Sequence, residues 1–311
     1  LLFVASLGGH LVSLRSASIA LLSLAVVLKA LLARRLSELW GASARQATAL
    51  AAALLVSTPI LALHHVVLHA PEYSGALSGA IYLGRFSGVV WHNSTMIACA
   101  PLVLLAAGTA RRAFESPDLR RLVGFGATLA LSALMKPNYA IAALPVLLPV
   151  LLWKTHRVRV DGESRLLMGG AAIAGPTLVV LVLQLALVRR AAFIVPLEFT
   201  FEPFAVWRYY ASSTNLALLQ SLAFPLVATI VVVLITKHGH AWLAISWTIM
   251  AVAIVQLAFL GERNRVTSLP VLAGNWFWGP HLALMVLFTA SGAALARAQR
   301  SEPFVEFSGP V

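Results

Sequence analysis

The stretch from Tyr82 to Thr95 gathers side chains that bind anions and hydroxyl groups, and it runs directly into an apolar segment. It reads Tyr-Leu-Gly-Arg-Phe-Ser-Gly-Val-Val-Trp-His-Asn-Ser-Thr and contains Arg85, His92 and Asn93. Arginine suits an anion because its planar guanidinium donates two parallel hydrogen bonds, and histidine and asparagine can bind hydroxyl groups. We expect this glycine-containing polar loop to lie at the mouth of a membrane helix, where a site can face lipid headgroups.

Three more cations on the same predicted side of the membrane share this anion-binding chemistry: Lys136, Arg263 and Arg265. Membrane proteins usually keep the outer side poor in Lys and Arg, so several cations there need a reason, and a lipid phosphate would supply one. The alternative for each residue is an interfacial side chain whose stem lies on apolar surface while its charge reaches water.

Carboxylates that could act as a general base are few on this side: Glu72, Glu198, Glu202 and Glu262. Glu262 stands in the densest charged cluster, Gly261 to Arg265, and is the candidate base; the alternative is an ion pair that satisfies itself. Glu198 and Glu202 lie one helical turn apart between two prolines, which favours a structural role in an ordered loop or a short interfacial helix.

Histidine and cysteine residues give no clear metal motif. Five histidines fall on the outer side: His64, His65, His69, His92 and His281. The i, i+4 spacing of His65 and His69 would let both reach one metal ion, yet no third ligand has a motif spacing. We therefore predict no metal site and no certain cofactor, with a divalent metal left open as an alternative. A single cysteine, Cys99, excludes a disulfide framework and a Cys-based metal cluster.

The elements that must position these residues are membrane helices. The 311-residue chain is 60% hydrophobic and only 11% charged, with a mean hydropathy of +0.88, whereas soluble domains carry about 25% charged residues. The net charge of +12 resides mainly in short loops between apolar runs, which is typical of the positive-inside pattern and argues against a nucleic-acid partner.

Nine apolar runs approach the length of about 20 residues that a membrane span needs. They fall at 11–33, 46–69, 93–110, 121–136, 138–153, 166–188, 215–236, 241–260 and 279–296. Lys136-Pro137-Asn138 separates the fourth and fifth runs, and we expect a tight re-entrant or hairpin corner there because a proline disfavours helix in the residue before it. The prediction is an all-α transmembrane bundle, residues 1–300, with a short tail, 301–311. Because the sequence does not begin with Met, one further helix is expected to have been lost before residue 1.

The orientation follows from the Lys and Arg residues in alternate loops. Fourteen lie on one side: Arg34, Arg35, Arg45, Arg111, Arg112, Arg120, Arg121, Lys154, Arg157, Arg159, Arg165, Lys237, Arg297 and Arg300. Seven lie on the other: Arg85, Lys136, Arg189, Arg190, Arg208, Arg263 and Arg265. The positive-inside rule then predicts an outer N-terminus and a cytoplasmic C-terminus, with three longer, aromatic outer loops at 70–92, 189–213 and 261–278.

The order of these features resembles the GT-C superfamily of membrane glycosyltransferases, which take sugars from polyprenyl-phosphate carriers. Residues 84–95 are similar to a Gly-Gln-x-Ser-Pro-Asn-Val-Trp-His-Asn-Pro-Thr stretch of bacterial members, with Arg85, Gly88, Val89 and Ser94 departing from it. Lys136-Pro137 resembles the lysine–proline helix pair of related mannosyl- and arabinosyltransferase-like proteins, and 274–279 resembles their Gly-Asn-Phe-x-Trp-Gly segment. The catalytic acid that GT-C enzymes usually carry in the first outer loop has no counterpart in residues 1–10.

This resemblance implies sugar transfer from a polyprenyl phosphate to an acceptor hydroxyl, at the outer face of a bacterial inner membrane. In that scheme Arg85, Lys136, Arg263 and Arg265 would hold the donor phosphate, and Glu262 or a lost N-terminal acid would be the base. His92, Asn93, Asn275 and Trp276 would orient sugar and acceptor. The partners are then the sugar-bearing lipid and the surrounding membrane lipids.

Two other classes of function stay open at this point. A transporter or flippase for a carrier lipid or polysaccharide would need ionisable groups along a central path at mid-membrane depth. The predicted spans offer only Arg15, Lys29, Gln184 and Gln256 for that purpose. The third hypothesis is that the protein is a structural subunit of an envelope complex.

Overall fold

A computed structural model describes residues 11–56, 85–87, 93–158, 163–191, 197–211, 213–236, 240–264, 266–268 and 275–300. The predicted segments 1–10 and 301–311, most of the outer loop 70–92, and the histidines at 64, 65 and 69 lie outside these ranges.

Helices make up almost all of the described chain. In chain order they are α1 (Leu11–Leu39), α2 (Ala44–Val56), α3 (Ser94–Glu115), α4 (Leu119–Met135), α5 (Pro137–Val158), α6 (Glu163–Ala191), α7 (Ala205–Tyr210), α8 (Thr214–Thr236), α9 (Ala241–Phe259) and α10 (Trp278–Ala298). A short 3-10 helix (Asn275–Phe277) precedes α10, and two strands, β1 (Leu197–Phe201) and β2 (Leu260–Asn264), complete the list.

Seven of these helices are long and apolar enough to cross a membrane: α1, α3, α5, α6, α8, α9 and α10. The chain is therefore an integral membrane protein built as a helical bundle. The nine predicted apolar runs correspond to these seven together with α2 and α4, which have 13 and 17 described helical residues. A full crossing by α2 and by α4 stays a prediction.

The break at Lys136-Pro137 is confirmed as a helix boundary. Lys136 is extended, with φ −152° and ψ 113°, and α5 begins at Pro137. Proline suits the first helical position because its missing N–H would have no partner there. The fifth run is longer than predicted, since α5 continues to Val158 through Pro145 and Pro149.

The centre of the bundle is α10, the most buried of the seven candidate spans, with 89% of its apolar window inside the protein. It packs against α1, α2, α3, α5, α8 and α9. Its small residues allow close approach: a Cβ placed on Gly292 would lie 2.3 Å from Leu50 Cδ2. Helices in membranes pack tightly through such small residues because lipid offers little hydrophobic drive for association.

Two glutamines within the spans satisfy carbonyls that have no helical donor. Pro145 has no N–H for the carbonyl of Ile141, and Gln256 Nε2 donates to that oxygen at 3.2 Å. The carbonyl of Ala133 lacks a donor because α4 ends at Met135, and it accepts from Gln184 Nε2 at 2.9 Å. Both glutamines therefore stabilise the fold, because an unsatisfied carbonyl inside a membrane is costly.

A second carbonyl that a proline leaves without its helical donor is covered by a glycine. Pro176 leaves the Ala172 oxygen in α6 without its helical donor, and α4 approaches this oxygen at Gly126. A Cβ on Gly126 would lie only 2.1 Å from it. The α4–α6 contact, the most extensive between helices in the described chain, therefore depends on the absence of a side chain at position 126.

We predict that Gln256→Leu destabilises the protein by about 1 kcal/mol, the usual range for a hydrogen bond between membrane helices. The same substitution should cost much less in a Pro145→Ala background, because position 145 then has an N–H for the Ile141 carbonyl. A double-mutant cycle on unfolding in detergent measures this coupling. Equal costs in both backgrounds would show that the glutamine does not act through that carbonyl.

The strands form a feature that the sequence analysis did not predict. β1 and β2 pair antiparallel, with Glu198 opposite Arg263 and Phe199 opposite Glu262. The alternative of a short interfacial helix over Glu198 and Glu202 is therefore wrong, because residues 197–201 are extended, whereas the ion pair of Glu202 with Arg263 agrees with the predicted structural role. We call this pair the ribbon, and the end of the bundle where it lies the ribbon end.

Residues predicted to share a side of the membrane do lie at the same end of the bundle. The ribbon contacts the end of α9, and the starts of α5 and α10 meet next to it. At the other end, which we call the basic end, Gln46 at the start of α2 binds the Ala296 carbonyl and Arg300. The assignment of this end to the cytoplasm rests on the charge count alone.

Candidate functional site

The ribbon end is organised around the carboxylate of Glu262 on β2. Its residue is only 8% exposed, and both carboxylate oxygens accept from Asn275 Nδ2, at 3.1 and 2.9 Å. Asn138 Nδ2 in turn donates to the Asn275 carbonyl at 3.1 Å. A chain of hydrogen bonds thus joins β2, the 3-10 helix and the first turn of α5.

The local chain explains why Glu262 faces inward while its neighbour faces outward. Successive side chains of a strand point to opposite faces, so Glu262 and Arg263 separate. Arg263 forms an ion pair with Glu202, and it is half-buried, with a side chain 39% exposed. Glu262 and Arg263 therefore do not form an ion pair with each other, and Arg265, the other arginine of this cluster, lies outside the described residues.

Burial governs the acidity of this carboxyl group. It raises the pKa of Glu262 above its ordinary value, because desolvation disfavours the charged form. The hydrogen bond from Asn275 acts in the opposite direction, since it stabilises the carboxylate, and its effect is the smaller one. A carboxyl with a raised pKa is better matched to proton transfer near neutral pH.

Lys136 supplies a cation close to this network. It stands two residues before Asn138, and its Nζ lies 4.7 Å from the ring centroid of Trp278, which follows the 3-10 helix. Within the described part of the chain no carboxylate pairs with Lys136. Partial burial lowers the pKa of its ammonium group. A cation held by an aromatic face rather than by an acid remains able to bind an anion.

The predicted loop around Arg85 docks onto the same end through its described residues 85–87. Arg85 Nε donates to Gln220 Oε1 in α8, and the Phe86 N–H donates to Ser221 Oγ at 2.7 Å. Phe86 is buried against Trp207 and Phe277. This confirms that the segment lies on the helix ends, while positions 88–92, including His92, lie outside the described residues.

His281 fixes the next residue of that segment. It is 2% exposed in the first turns of α10, and its Nδ1 accepts from the Ser87 N–H at 2.8 Å. This hydrogen bond gives His281 a structural role in holding residue 87 on α10. Among the described residues, no group of three or more His, Cys, Asp or Glu side chains is placed to hold a metal ion.

The remaining predicted site residues have mixed placements. Asn93 is the N-cap of α3, with its Oδ1 accepting from the Met96 N–H at 3.0 Å, so this oxygen is engaged in starting the helix. Trp276 is half-buried with its ring edge-on to Phe199, centroids 5.9 Å apart, and its indole N–H has no acceptor among the described residues. Arg265 lies outside them.

Sequence reasoning missed Asn138 and Trp278 as members of the site. Asn138 follows directly on the Lys-Pro corner that was singled out, so its position was a usable signal. Trp278 lies in the stretch 274–279 that resembles a Gly-Asn-Phe-x-Trp-Gly segment, so it too had a usable signal.

Comparison with protein-family models, curated proteins and solved structures finds no match to this chain. The geometry of the ribbon end therefore carries the functional argument by itself.

Proposed function

We propose that the protein is a membrane glycosyltransferase that moves a sugar from a polyprenyl-phosphate carrier to an acceptor hydroxyl at the ribbon end. The observation that carries this proposal is the buried carboxylate of Glu262, held by Asn275, at the same end of the bundle as a cation, Lys136, that has no carboxylate partner in the described chain. A base and an anion-binding cation are the two groups that transfer from a lipid phosphate needs.

In the proposed reaction the acceptor oxygen forms a bond to the anomeric carbon while the bond from that carbon to the phosphate oxygen breaks. Glu262 takes the acceptor proton, and the polyprenyl phosphate leaves with an added negative charge. Lys136 and Arg263 offset this charge, and Arg85 and Arg265 would extend the phosphate site. Preorganised charges of this kind stabilise the transition state because they need not reorganise during reaction.

Sugar and acceptor would be oriented by Asn275, Trp276, His92 and Asn93. Asn275 is exposed while holding the carboxylate, so it lies between Glu262 and the surface. Trp276 is half-buried and would orient the sugar by stacking of its ring. On the ribbon, Phe199 and Phe201 are 60% and 71% exposed, as expected of side chains that rest in the membrane interface.

The alternative of carrier-lipid or polysaccharide transport is favoured by one observation, the burial of Lys29 within α1, where it is 7% exposed. Ionisable residues inside membrane spans often mark a transport path. Gln184 and Gln256, however, bind backbone carbonyls and do not contribute to such a path. A structural subunit of an envelope complex is the third candidate.

The test is donor consumption by the purified chain in nanodiscs, with a panel of polyprenyl-phosphate sugars. We expect Lys136→Gln to reduce turnover about 100-fold, the usual cost of losing one preorganised charge or donor. The matched control is Arg208→Gln, an exposed cation near the same end that stacks on Phe204; it should retain wild-type turnover.

The outcomes separate the three functions. Saturable binding of the carrier without turnover would overturn the enzyme and favour transport. Neither binding nor turnover with any donor, together with co-purification of a stoichiometric partner, would favour the structural subunit. Equal losses in Lys136→Gln and Arg208→Gln would remove Lys136 from the phosphate site.

A further inference from the structure

A cavity lies at the basic end, the opposite end of the bundle from Glu262. It encloses about 630 Å³ between the ends of α1, α3, α5, α9 and α10. The helices α3 and α5 have 22 residues each, so about 30 Å separates this cavity from the ribbon end. The cavity takes no part in the proposed reaction.

Cations dominate the charge of this cavity. Arg111, Lys154 and Arg297 line it, whereas the described lining contains one acid, Glu115. That acid is engaged by Arg111 at 2.9 Å. Lys154 Nζ lies 5.3 Å from the ring centroid of Phe114, an aromatic contact that leaves its charge uncompensated. The cavity therefore carries a positive charge suited to an anion.

Buried hydrogen-bond donors on three residues that line this cavity have no acceptor in the described chain. Trp40 and Trp242 stack with ring centroids 6.2 Å apart and are only 7% and 9% exposed. Neither indole N–H finds an acceptor in the described chain, and neither does Arg111 Nε. Leaving a buried donor unsatisfied is destabilising, because the group loses its hydrogen bonds to water and gains none in return. The three donors belong to residues that line the cavity, and a ligand that brings oxygen acceptors would satisfy them if these side chains turned toward it.

A glycine positions one of the cations. Gly41 has φ +98°, and a Cβ there would lie 3.0 Å from Arg297 Cδ. The turn after α1 thus brings its backbone directly against the arginine side chain. Glycine serves both needs, since it adopts positive φ without strain and leaves room for this contact.

We propose that this cavity binds a phosphate group, and that its natural source is the headgroup of an anionic membrane lipid. Phosphate combines negative charge with several acceptor oxygens, which matches both the cations and the unsatisfied donors. The rim favours a lipid, because Trp153 is 52% exposed at the end of a membrane helix, where aromatic side chains sit at headgroup level. Basic pockets between membrane helices on the cytoplasmic side bind such headgroups.

The test compares phosphatidylglycerol with soluble glycerol 3-phosphate as probes. Binding to the full chain in phosphatidylcholine nanodiscs would be followed by tryptophan fluorescence as either probe is added, and retained lipid would be counted by native mass spectrometry. We expect Lys154→Gln/Arg297→Gln to weaken phosphatidylglycerol binding at least 10-fold. The matched control is Arg35→Gln/Arg120→Gln, two cations at the same end outside the cavity, which should bind as wild type.

Each result decides the proposal. Binding of phosphatidylglycerol that is lost in the first double variant alone supports it. Binding of glycerol 3-phosphate with no preference for the lipid would assign the cavity to a soluble phosphate ester. Absence of binding by either probe, or equal weakening in both double variants, would overturn the proposal. Circular dichroism and size-exclusion chromatography confirm that both variants remain folded, and Gly41→Ala gives a separate variant that displaces Arg297 without removing its charge.

Discussion

Gly126→Ala should be among the most destabilising single-methyl changes in the bundle, with a cost of about 3 kcal/mol. The added Cβ would lie 2.1 Å from the Ala172 oxygen, far inside van der Waals contact, and a backbone carbonyl cannot rotate away as a side chain can. The helices α4 and α6 must then separate. The Ala172 carbonyl, which Pro176 leaves without its helical donor, then loses its contact with α4. Overpacking of this kind costs about 1–3 kcal/mol and occasionally more.

The matched control is two residues earlier in the same helix. A Cβ on Gly124 would meet nothing within 4 Å, so Gly124→Ala should be neutral or slightly stabilising, because alanine favours helix over glycine by about 1 kcal/mol. Thermal unfolding of both variants in the same detergent gives the comparison. If the two midpoints coincide, the close approach of α4 to α6 is wrong.

Glu262→Gln should reduce donor turnover by at least 10³-fold while the protein stays folded. The amide keeps the size of the side chain and can still accept from Asn275, but it cannot take a proton from an acceptor hydroxyl, and general-base catalysis typically contributes 10²–10⁴-fold. Glu38→Gln is the control, since that carboxylate binds Arg34 and Arg35 at the basic end. Wild-type turnover in Glu262→Gln would remove this residue from the mechanism.

The pH profile provides an independent check on the same residue. Wild-type kcat/KM should increase with pH and reach a plateau. Because burial raises the pKa of Glu262, the inflection of this increase should lie above the ordinary glutamate pKa of 4.5. The Asn275 hydrogen bond lowers that pKa, so Asn275→Ala should move the inflection to higher pH. A purely structural asparagine would change the plateau without moving the inflection.

Stability should change with pH in a defined direction too. A carboxyl whose pKa is higher in the folded than in the unfolded state contributes stability below the unfolded value, and this contribution is lost as pH rises through the folded value. The unfolding midpoint of Glu262→Gln should therefore fall less than that of the wild type from acidic to neutral pH.

The sequence was sufficient to predict the bundle because membrane helices depend on local properties, the length and apolarity of a run. The break at Lys136-Pro137 was equally local, since proline restricts its own neighbour. The ribbon also left a local signal that was not used: Leu197, Phe199 and Phe201 alternate with polar residues, the period of a strand. The i, i+4 spacing of Glu198 and Glu202 was read as a helical turn instead.

The contacts that build the site could not be predicted in the same way. Asn138 reaches Asn275 across 137 positions of sequence, and Arg85 reaches Gln220 across 135. Such pairs depend on which helices become neighbours, and the hydropathy pattern does not specify this. Glu262 was predicted to be the important acid only because charged residues surround it in the sequence. Asn275, the partner that holds its carboxylate, was assigned to sugar binding instead.

The central position of α10 has a consequence for how the protein is made. The other nine described helices leave the ribosome before residue 278, yet several of them bury their inner faces against α10. Until α10 enters the membrane, those faces contact only one another or lipid. The partners on α10 are then missing for Ser87, for Gln46 and for the cavity at the basic end. Assembly therefore finishes only after α10 has been translated. A chain interrupted before that point leaves the helix surfaces that pack against α10 exposed to membrane quality control.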